Sequence, residues 1–420
     1  MTTAHHAPGI PERPGRLRPG HGLVLLQSGQ AFFPALVRAM DAARQFIHLE
    51  TYIFEFSGAA LSVAEALERA AKRGVLVRLV IDGVGSPRMP LEWQRRFAAA
   101  GVHWRHYAPL GKLGLLIPSR WRRLHRKLCV VDGVLGFCGG INIIDDLEDV
   151  LLGRLTVPRL DFSLQVHGPI VREMTATMEQ LWWRLQAVRK ARQREFTAAW
   201  EALRATLPVG DFSRLKGADD DAGLPVAVDG AAAALLLRDN ISHRGDIERA
   251  YLKAIGEARH EVIIANAYFI PGRRLRRALL LAAARGVRVR LLLQGKYEHF
   301  LQYHAARPVF ARLVRAGVEI LEYAPSALHA KVAVIDRRWA TVGSTNLDPL
   351  SLLLAREANV MTTDRRFAER LHECLDQILR EAGRPIDAVS LAARPWRQRV
   401  LDRLAFGIMR TVLFVTGHRY

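Results

Sequence analysis

The sequence predicts an α/β fold in which two duplicated lobes each contain a mixed β-sheet flanked by helices. The 420-residue chain has room for two or three domains, and its 50% apolar and 24% charged residues are typical of a globular protein. The same order of segments occurs twice along the chain. In each half, apolar runs rich in branched residues alternate with strong helix formers, a pattern typical of strands covered by helices.

The repeat consists of four segments in each half. They are residues 46–54, 73–83, 101–109 and 124–133 in the first half, and residues 262–270, 285–295, 317–325 and 328–337 in the second. Aligning FIHLETYIF with VIIANAYFI puts Tyr52 and Tyr268 at matching positions. We expect the two lobes to be related by a pseudo-twofold axis, with an active site at the interface between them.

Changes in composition place the domain boundaries. Residues 1–20 are rich in Pro, Gly and Arg and are expected to form a disordered basic arm. The first lobe is placed at 21–190 and the second at 229–390. Between them, residues 191–228 read as a charged helical stretch followed by an acidic linker. Residues 391–420 are predicted to form an amphipathic, membrane-associating helix.

Charge and cysteine content restrict the function. The chain has 61 basic and 41 acidic residues, and a net charge of +20 favours a polyanionic partner such as an anionic lipid surface or a nucleic acid. Three cysteines without a Cys-x-x-Cys pair give no support to a disulfide framework or a cysteine zinc site, and they suit a reducing compartment. No secretory signal and no run of about 18 apolar residues is present, so we expect no membrane-spanning helix.

A His-x-Lys-x4-Asp motif occurs once in each half. On the order of 0.01 matches are expected by chance, whereas two stand at equivalent repeat positions. Lysine is kept at both, although only 8 of the 61 basic residues are lysine. Each copy continues into a Gly-Gly-x-Asn or Gly-Ser-x-Asn segment. The residues are His125, Lys127, Asp132, Gly139, Gly140 and Asn142 in the first lobe, and His329, Lys331, Asp336, Gly343, Ser344 and Asn346 in the second.

The motif spacing predicts how each half-site is built. Side chains alternate along a strand, so the histidine and the lysine share one face, whereas the aspartate falls at the turn that follows. If residues 132–133 form that turn, residue 140 comes opposite His125, and residue 344 likewise comes opposite His329. The aspartates then either brace the turn or neutralise the lysine.

Two such half-sites facing each other make a pocket with two histidines, two lysines and no metal-ligand set. This combination is suited to phosphodiester transfer. One histidine attacks phosphorus, and the other protonates the leaving alkoxide and then activates the acceptor. A lysine ammonium is a compact point charge that suits the oxygens of a trigonal-bipyramidal phosphorus. The groups expected to stabilise those oxygens are Lys127, Lys331, Asn142, Ser344 and Asn346.

A catalytic histidine also needs an acceptor that orients its second nitrogen. Asp161 follows the first motif and Glu357 follows the second, and we propose both as orienting carboxylates. For Asp161 an alternative stays open, because the segment LDFSLQV is also an ordinary alternating strand.

The two motifs resemble those of the phospholipase D superfamily, and within it the bacterial cardiolipin synthases of the B type. The likeness extends from about residue 22 to 390 and includes residues 237–255, 262–272 and 339–352. It implies an enzyme that moves a phosphatidyl group onto phosphatidylglycerol and releases glycerol, without a metal or other cofactor. It also implies that His125 is the nucleophile and that His329 is the acid and base.

Two segments indicate contact with a membrane surface. On a helical wheel, Arg399, Arg403 and Arg410 cluster opposite an apolar face that contains Leu401, Leu404, Ala405, Ile408, Val412 and Val415. Residues 110–127 combine an apolar tip with basic residues next to His125. The alternatives are a terminal helix docked on the protein's own core and a solvated basic run. We expect a peripheral protein on the cytoplasmic face of the inner membrane, with phosphatidylglycerol as substrate.

Two other functions stay open at this stage. A nuclease of the same superfamily would use the basic charge for phosphate contacts, but it would also need aromatic stacking platforms, and aromatic residues are only 8% of the chain. We therefore expect no nucleic acid partner. The second is a non-catalytic protein that binds anionic lipid, against which the two intact motifs argue. The sequence does not predict an oligomeric state.

Overall fold

The computed structural model describes most of the chain. The described residues are 15–111, 121–149, 152–205, 230–239, 243–296, 300–348, 355–387 and 393–415. Most of the predicted N-terminal arm (1–14), the acidic part of the linker (206–229) and the apolar tip of the first basic segment (112–120) lie outside them.

The first lobe alternates strands and helices in the predicted order. Its elements are β1 (Arg18–Gln27), α1 (Ser28–Ala42), β2 (Phe46–Thr51), α2 (Gly58–Lys72), β3 (Leu76–Asp82), α3 (Leu91–Ala100), β4 (His103–Tyr107), β5 (Arg123–Leu124), β6 (Lys127–Val131), β7 (Leu135–Gly139), β8 (Glu148–Asp149), β9 (Gly153–Arg154), β10 (Phe162–His167) and α4 (Ile170–Arg192). Strands β2, β3 and β4 are parallel because helices α2 and α3 connect them.

The second lobe follows helix α5 (Phe196–Arg204) and repeats this order. Its elements are β11 (Ala231–Arg238), α6 (Asp246–Glu257), β12 (Glu261–Asn266), α7 (Arg273–Ala284), β13 (Arg288–Gln294), α8 (Phe300–Arg315), β14 (Glu319–Tyr323), β15 (Lys331–Ile335), β16 (Trp339–Gly343), β17 (Ala355–Thr362), α9 (Arg365–Ala382), β18 (Gly383–Ile386) and α10 (Trp396–Val415).

One mixed sheet runs through both lobes. Its order is β18-β14-β13-β12-β15-β16-β17-β11-β1-β10-β7-β6-β2-β3-β4, with β5 paired to β17. The order reads equivalently outward from the β11–β1 junction, so the pseudo-twofold axis passes there. The apolar core beneath the junction is shared, with Leu164 and Val166 of one lobe in the same buried cluster as Val360 of the other. The predicted fold class is confirmed.

Each motif hairpin differs from the predicted register by one residue. The turn lies where expected, because Asp132 and Gly133 have positive φ (51° and 70°) and the Val134 N–H donates to the Val131 carbonyl. Val131 nevertheless pairs with Leu135, so Val134 is an extra residue in the second strand. The second lobe does the same, since its Ile335 pairs with Trp339. Residues 140 and 344 are therefore not opposite the histidines.

The expected match between Tyr52 and Tyr268 is also wrong. Phe54 forms a parallel bridge with Ile143, and the equivalent bridge in the second lobe is made by Phe269 with Leu347. This makes Tyr52 equivalent to Ala267, one residue away from the alignment of the two apolar segments. The sequence alignment followed the identical pairs Ile47–Ile263 and Tyr52–Tyr268, whereas strand pairing fixes the register one residue away.

The C-terminal helix α10 is both docked and exposed. Ala405 and Met409 are buried with the apolar residues of α8, and buried Asp402 accepts from His304 of α8 at 2.6 Å. The predicted apolar face is therefore divided, because Leu404 and Ile408 remain more than half exposed. The side chains of Val412 and Val415 lie outside the described part. No helix in the described residues is long and apolar enough to cross a membrane.

Candidate active site

Backbone pairing between the lobes builds the site. The His125 N–H donates to the Arg356 carbonyl at 3.0 Å, next to the short parallel pairing of β5 with β17. In the pseudo-symmetric contact, the His329 N–H donates to the Leu160 carbonyl at 2.8 Å. Each motif histidine is therefore aligned by the strand that carries the other lobe's carboxylate.

The carboxylates cross between the lobes. Glu357 of the second lobe accepts from His125 Nδ1 at 2.9 and 3.1 Å, and Asp161 of the first lobe accepts from His329 Nδ1 at 2.6 Å. The sequence predicted both carboxylates but did not indicate which histidine each would contact. A carboxylate that accepts from Nδ1 holds the proton there, so Nε2 keeps its lone pair for chemistry.

The two motif lysines are buried beside the histidines. Lys127 is 6% exposed and Lys331 is fully buried. The Lys127 ammonium donates to the His125 carbonyl at 2.7 Å, and Lys331 donates to the His329 carbonyl. The His125 carbonyl uses only one of the three donors of the Lys127 ammonium, so a substrate oxygen can accept from another.

The motif aspartates lie at the far ends of the hairpins. Asp132 accepts from the backbone N–H groups of Arg44, Gln45 and Phe46 at 2.8–2.9 Å. Asp336 accepts from the equivalent three N–H groups at 2.8 Å. Five residues of strand separate Asp132 from Lys127, roughly 16 Å at the usual rise. The geometry therefore indicates that the aspartates brace the hairpin turns and do not neutralise the lysines.

Ser344 contacts a carboxylate. Its hydroxyl donates to Glu357 and accepts from the Ala358 N–H at 3.1 Å. This bond holds the carboxylate that orients His125, so the expected role on phosphate oxygens does not follow from its contacts. The equivalent residue is Gly140, where a Cβ would overlap an oxygen of Asp161. The first lobe therefore requires glycine at the position where the second lobe uses serine.

The two motif asparagines differ in their bonding. Asn142 Oδ1 accepts from the Ile53 N–H at 3.2 Å, which leaves its amide N–H groups as the atoms that could meet a phosphate oxygen. Asn346 is buried, and its Oδ1 has no hydrogen-bond partner among the described residues. A buried acceptor without a partner favours contact with a donor on a bound molecule.

Tyr52 is a site residue that the motif did not contain. Its ring lies 4.9 Å from the His125 ring, and the Lys127 ammonium is 5.5 Å from its centroid. The ring covers one side of the first half-site and excludes water from it. In the sequence, the signal for Tyr52 as a site residue was its position directly after a buried strand.

Burial sets the protonation states. It lowers the pKa of His125, with Glu357 opposing the shift and Lys127 adding to it. Burial and the two lysines hold the pKa of His329 well below its ordinary value. Both imidazoles are therefore neutral at pH 7, as a nucleophile or base requires. Burial also lowers the pKa of Lys127 to about 7 and raises that of Asp161 to about 7. A bound phosphate anion would favour the charged lysine.

Comparisons with known proteins agree with this geometry. The family described as cardiolipin synthase, PLD-like domain, matches residues 36–147 and 251–379, one segment in each lobe. Cardiolipin synthase B of Escherichia coli (strain K12) is 36% identical over 402 residues, which covers 94% of this chain and 89% of the relative. Cardiolipin synthase B of Salmonella typhi is 37% identical over 395 residues with the same coverage.

A solved structure shares the fold. Phosphatidylserine synthase of Haemophilus influenzae Rd KW20 has a TM-score of 0.66 at 13% identity and covers 94% of this chain and 96% of its own. Two α/β lobes with histidine–lysine half-sites at their junction define a phospholipase D-like enzyme. The chain belongs to the cardiolipin synthase family of phosphatidyltransferases within that superfamily.

Proposed function

We propose that this protein moves a phosphatidyl group from one phospholipid to phosphatidylglycerol through a phosphohistidine, and that with phosphatidylglycerol as donor it releases glycerol. The observation that carries the proposal is the crossed pairing of two neutral histidines with buried carboxylates, flanked by two buried lysines. Membership of the cardiolipin synthase family supports the choice of substrates.

The proposed reaction has two balanced steps. Nε2 of one histidine attacks phosphorus and the bond from phosphorus to the glycerol oxygen breaks. The second histidine, protonated at Nε2 when the substrate phosphate anion binds, donates that proton to the leaving oxygen. The second histidine then takes the proton from a hydroxyl of phosphatidylglycerol. That oxygen attacks phosphorus, the phosphorus–nitrogen bond breaks, and cardiolipin forms. Lys127 and Lys331 offset the charge on the non-bridging oxygens in both steps.

Product analysis tests the proposal. The purified protein is incubated with phosphatidylglycerol liposomes and a chelator, and cardiolipin and glycerol are followed by mass spectrometry. We expect equal amounts of both, and loss of both in His125→Ala and His329→Ala. A quench with donor labelled at phosphorus identifies the histidine that carries the phosphatidyl group. If no lipid changes while a labelled oligonucleotide is cut, the proposal fails and the nuclease alternative replaces it.

We propose further that α10 contacts an anionic membrane surface on the cytoplasmic side. Trp396, Val400, Leu404 and Ile408 recur every four residues and are 46–65% exposed. Exposed arginines flank this stripe, at Arg397, Arg399, Arg403 and Arg410. An apolar stripe between basic residues suits the boundary between acyl chains and anionic headgroups.

Vesicle flotation tests this contact. The double variant Leu404→Glu with Ile408→Glu is compared with Gln377→Glu with Gln398→Glu, which adds the same charge at exposed positions off the stripe. We expect the first pair to abolish binding to phosphatidylglycerol vesicles and the second to weaken it only slightly. Equal loss in both would mean that net charge alone drives binding.

A further inference from the structure

A pocket opens in the second lobe beside the catalytic strands. Residues that follow β12 and the end of β13 form its floor, including Phe269 and Leu293, and helix α8 forms the outer wall with Ala306 and Phe310. These four side chains are buried and apolar. The pocket therefore offers an apolar surface at the edge of the sheet where the active site lies.

The pocket shares a wall with the second half-site. The Ala267 N–H donates to the Ala330 carbonyl at 3.0 Å, and Ala330 stands between His329 and Lys331 in the sequence. Gln294, which also lines the pocket, donates to the Leu328 carbonyl at 3.4 Å. Asn266, the last residue of β12, also pairs with Lys331, so the pocket residues that follow β12 lie at the same end of the strands as the catalytic residues.

Polar groups are placed among the apolar walls. Arg307 is 7% exposed, is held by Glu322 at 2.8 Å and lies 4.1 Å from the ring centroid of Tyr303. Gln302 Oε1 is buried without a hydrogen-bond partner among the described residues. Lys296 is exposed at the same pocket. Apolar walls with a fixed cation match a molecule that is apolar at one end and ester-linked or anionic at the other, and the Gln302 acceptor suits a hydroxyl donor on it.

The same position in the first lobe is filled. Phe54 is equivalent to Phe269, and it packs on Phe56 with centroids 4.9 Å apart. Phe56 continues onto Trp93 of α3 at 5.3 Å, and Trp93 onto Phe97 at 5.4 Å. Helix α3 thus seals the first lobe with aromatic rings, whereas α8 leaves the second lobe open.

We infer that this pocket binds the glycerol backbone and the first acyl carbons of one phospholipid substrate while its phosphate lies between the two histidines. The inference rests on the proposed function and adds a lipid subsite to it. Because aromatic rings occupy the equivalent position in the first lobe, we expect one of the two lipids to be held by its acyl end in the second lobe.

Short-chain phosphatidylglycerols that remain monomeric separate this subsite from membrane binding. With diacyl chains lengthened from four to eight carbons, we expect kcat/KM of the unsubstituted protein to rise about fourfold for each methylene that becomes buried. Ala306→Trp fills the pocket and should abolish this dependence, so that kcat/KM no longer changes between the four-carbon and eight-carbon chains. Phe310→Ala enlarges the pocket and should move the preference to longer chains. Ala316→Trp adds the same ring at an exposed position after α8 and should change nothing.

Calorimetric titration with the same lipids measures binding without turnover. If chain-length dependence of binding is present in the unsubstituted protein and absent in Ala306→Trp, but no cardiolipin forms, the subsite stands and the proposed function fails. If cardiolipin forms while Ala306→Trp and Phe310→Ala keep the original chain-length dependence, the subsite is wrong and the function stands.

Discussion

The two half-sites use the same backbone but different side chains around it. In the first lobe Asp161 sits beside Gly140, and its carboxylate also accepts from the Phe162 N–H at 2.8 Å. In the second lobe the longer Glu357 is fully buried and is held by the Ser344 hydroxyl. The longer Glu357 is thus held by a serine hydroxyl, whereas the shorter Asp161 needs a glycine beside it.

The two half-sites therefore share their geometry but not their sequence. Both acids reach the opposite lobe's histidine, although their lengths and supports differ. The site as a whole exists only between lobes, since neither half contains both a histidine and the acid that orients it.

The largest effect is expected from the crossed acids. In Asp161→Asn and Glu357→Gln an amide can present its NH2 group to Nδ1, which favours the wrong tautomer of the histidine. We expect each to lower kcat by about 10³-fold. Steady-state cardiolipin formation measures it, with Glu369→Gln, an exposed acid on α9, as the matched control. A loss in only one of the two variants would show that the half-sites are not equivalent.

The next effect concerns the buried lysines. Lys127→Met and Lys331→Met should each lower kcat/KM by about 10²-fold, because a charge on the phosphate oxygens is left unopposed. Lys72→Met, an exposed lysine on α2, is the control for loss of a charge.

Lys127→Met should also raise the melting temperature. The folded pKa of Lys127 is about 7, below the ordinary value of about 10.4, so the unfolded chain binds more protons between these values. The destabilisation caused by this lysine is therefore complete below pH 7 and declines as the pH rises. The gain from Lys127→Met should be larger at pH 6 than at pH 9 in thermal unfolding. An equal gain at both pH values would contradict this reasoning.

The sequence predicted the features of the fold and the site that depend on its internal repeat and on the spacing of its motifs. The duplicated lobes and the site at their junction follow from residues that occur twice at fixed offsets, whereas both carboxylates follow from the need of each catalytic histidine for an orienting acceptor. The crossing of Asp161 and Glu357 does not, because strand pairing between lobes leaves no local pattern. The extra residue at Val134 was missed because Asp-Gly fits a tight turn with or without a bulge.

The C-terminal helix shows a different limit. Its periodicity predicted one apolar face, but Asp402 gave no sign that it would be buried against His304. That contact fixes which apolar residues turn inward and which, such as Leu404, stay exposed. The open pocket at α8 was likewise invisible in the sequence, because it depends on a space that α3 fills and α8 does not.

Substitutions at Gly140 and Ser344, the residues beside the two orienting acids, test whether the half-sites are equivalent. Gly140→Ser places a Cβ against Asp161 and should displace it, which we expect to lower kcat by about 10²-fold. Ser344→Ala removes only the hydroxyl that holds Glu357, so about a tenfold loss is expected. The pH dependence of kcat should shift in Ser344→Ala, which a purely structural change would not cause. Equal losses would mean that the two supports are interchangeable.

The smallest effect on turnover is expected where the lobes are alike, at the motif aspartates. Asp336→Ala removes an acceptor of three backbone N–H groups and should lower the free energy of unfolding by about 2 kcal/mol.

This loss of stability should depend on pH. Burial raises the pKa of Asp336, but the three N–H groups outweigh it and the net shift of the pKa is downward. Its stabilisation is therefore present above the unfolded pKa and is lost as the pH falls through the folded one. Urea unfolding should show a larger difference from the unsubstituted protein at pH 7 than at pH 3. Asp132→Ala should lose as much stability at pH 7, since it removes the same three contacts in the other lobe. In both variants kcat should fall far less than in Asp161→Asn. A loss of kcat as large as in Asp161→Asn, with unchanged stability, would instead make these aspartates part of the chemistry.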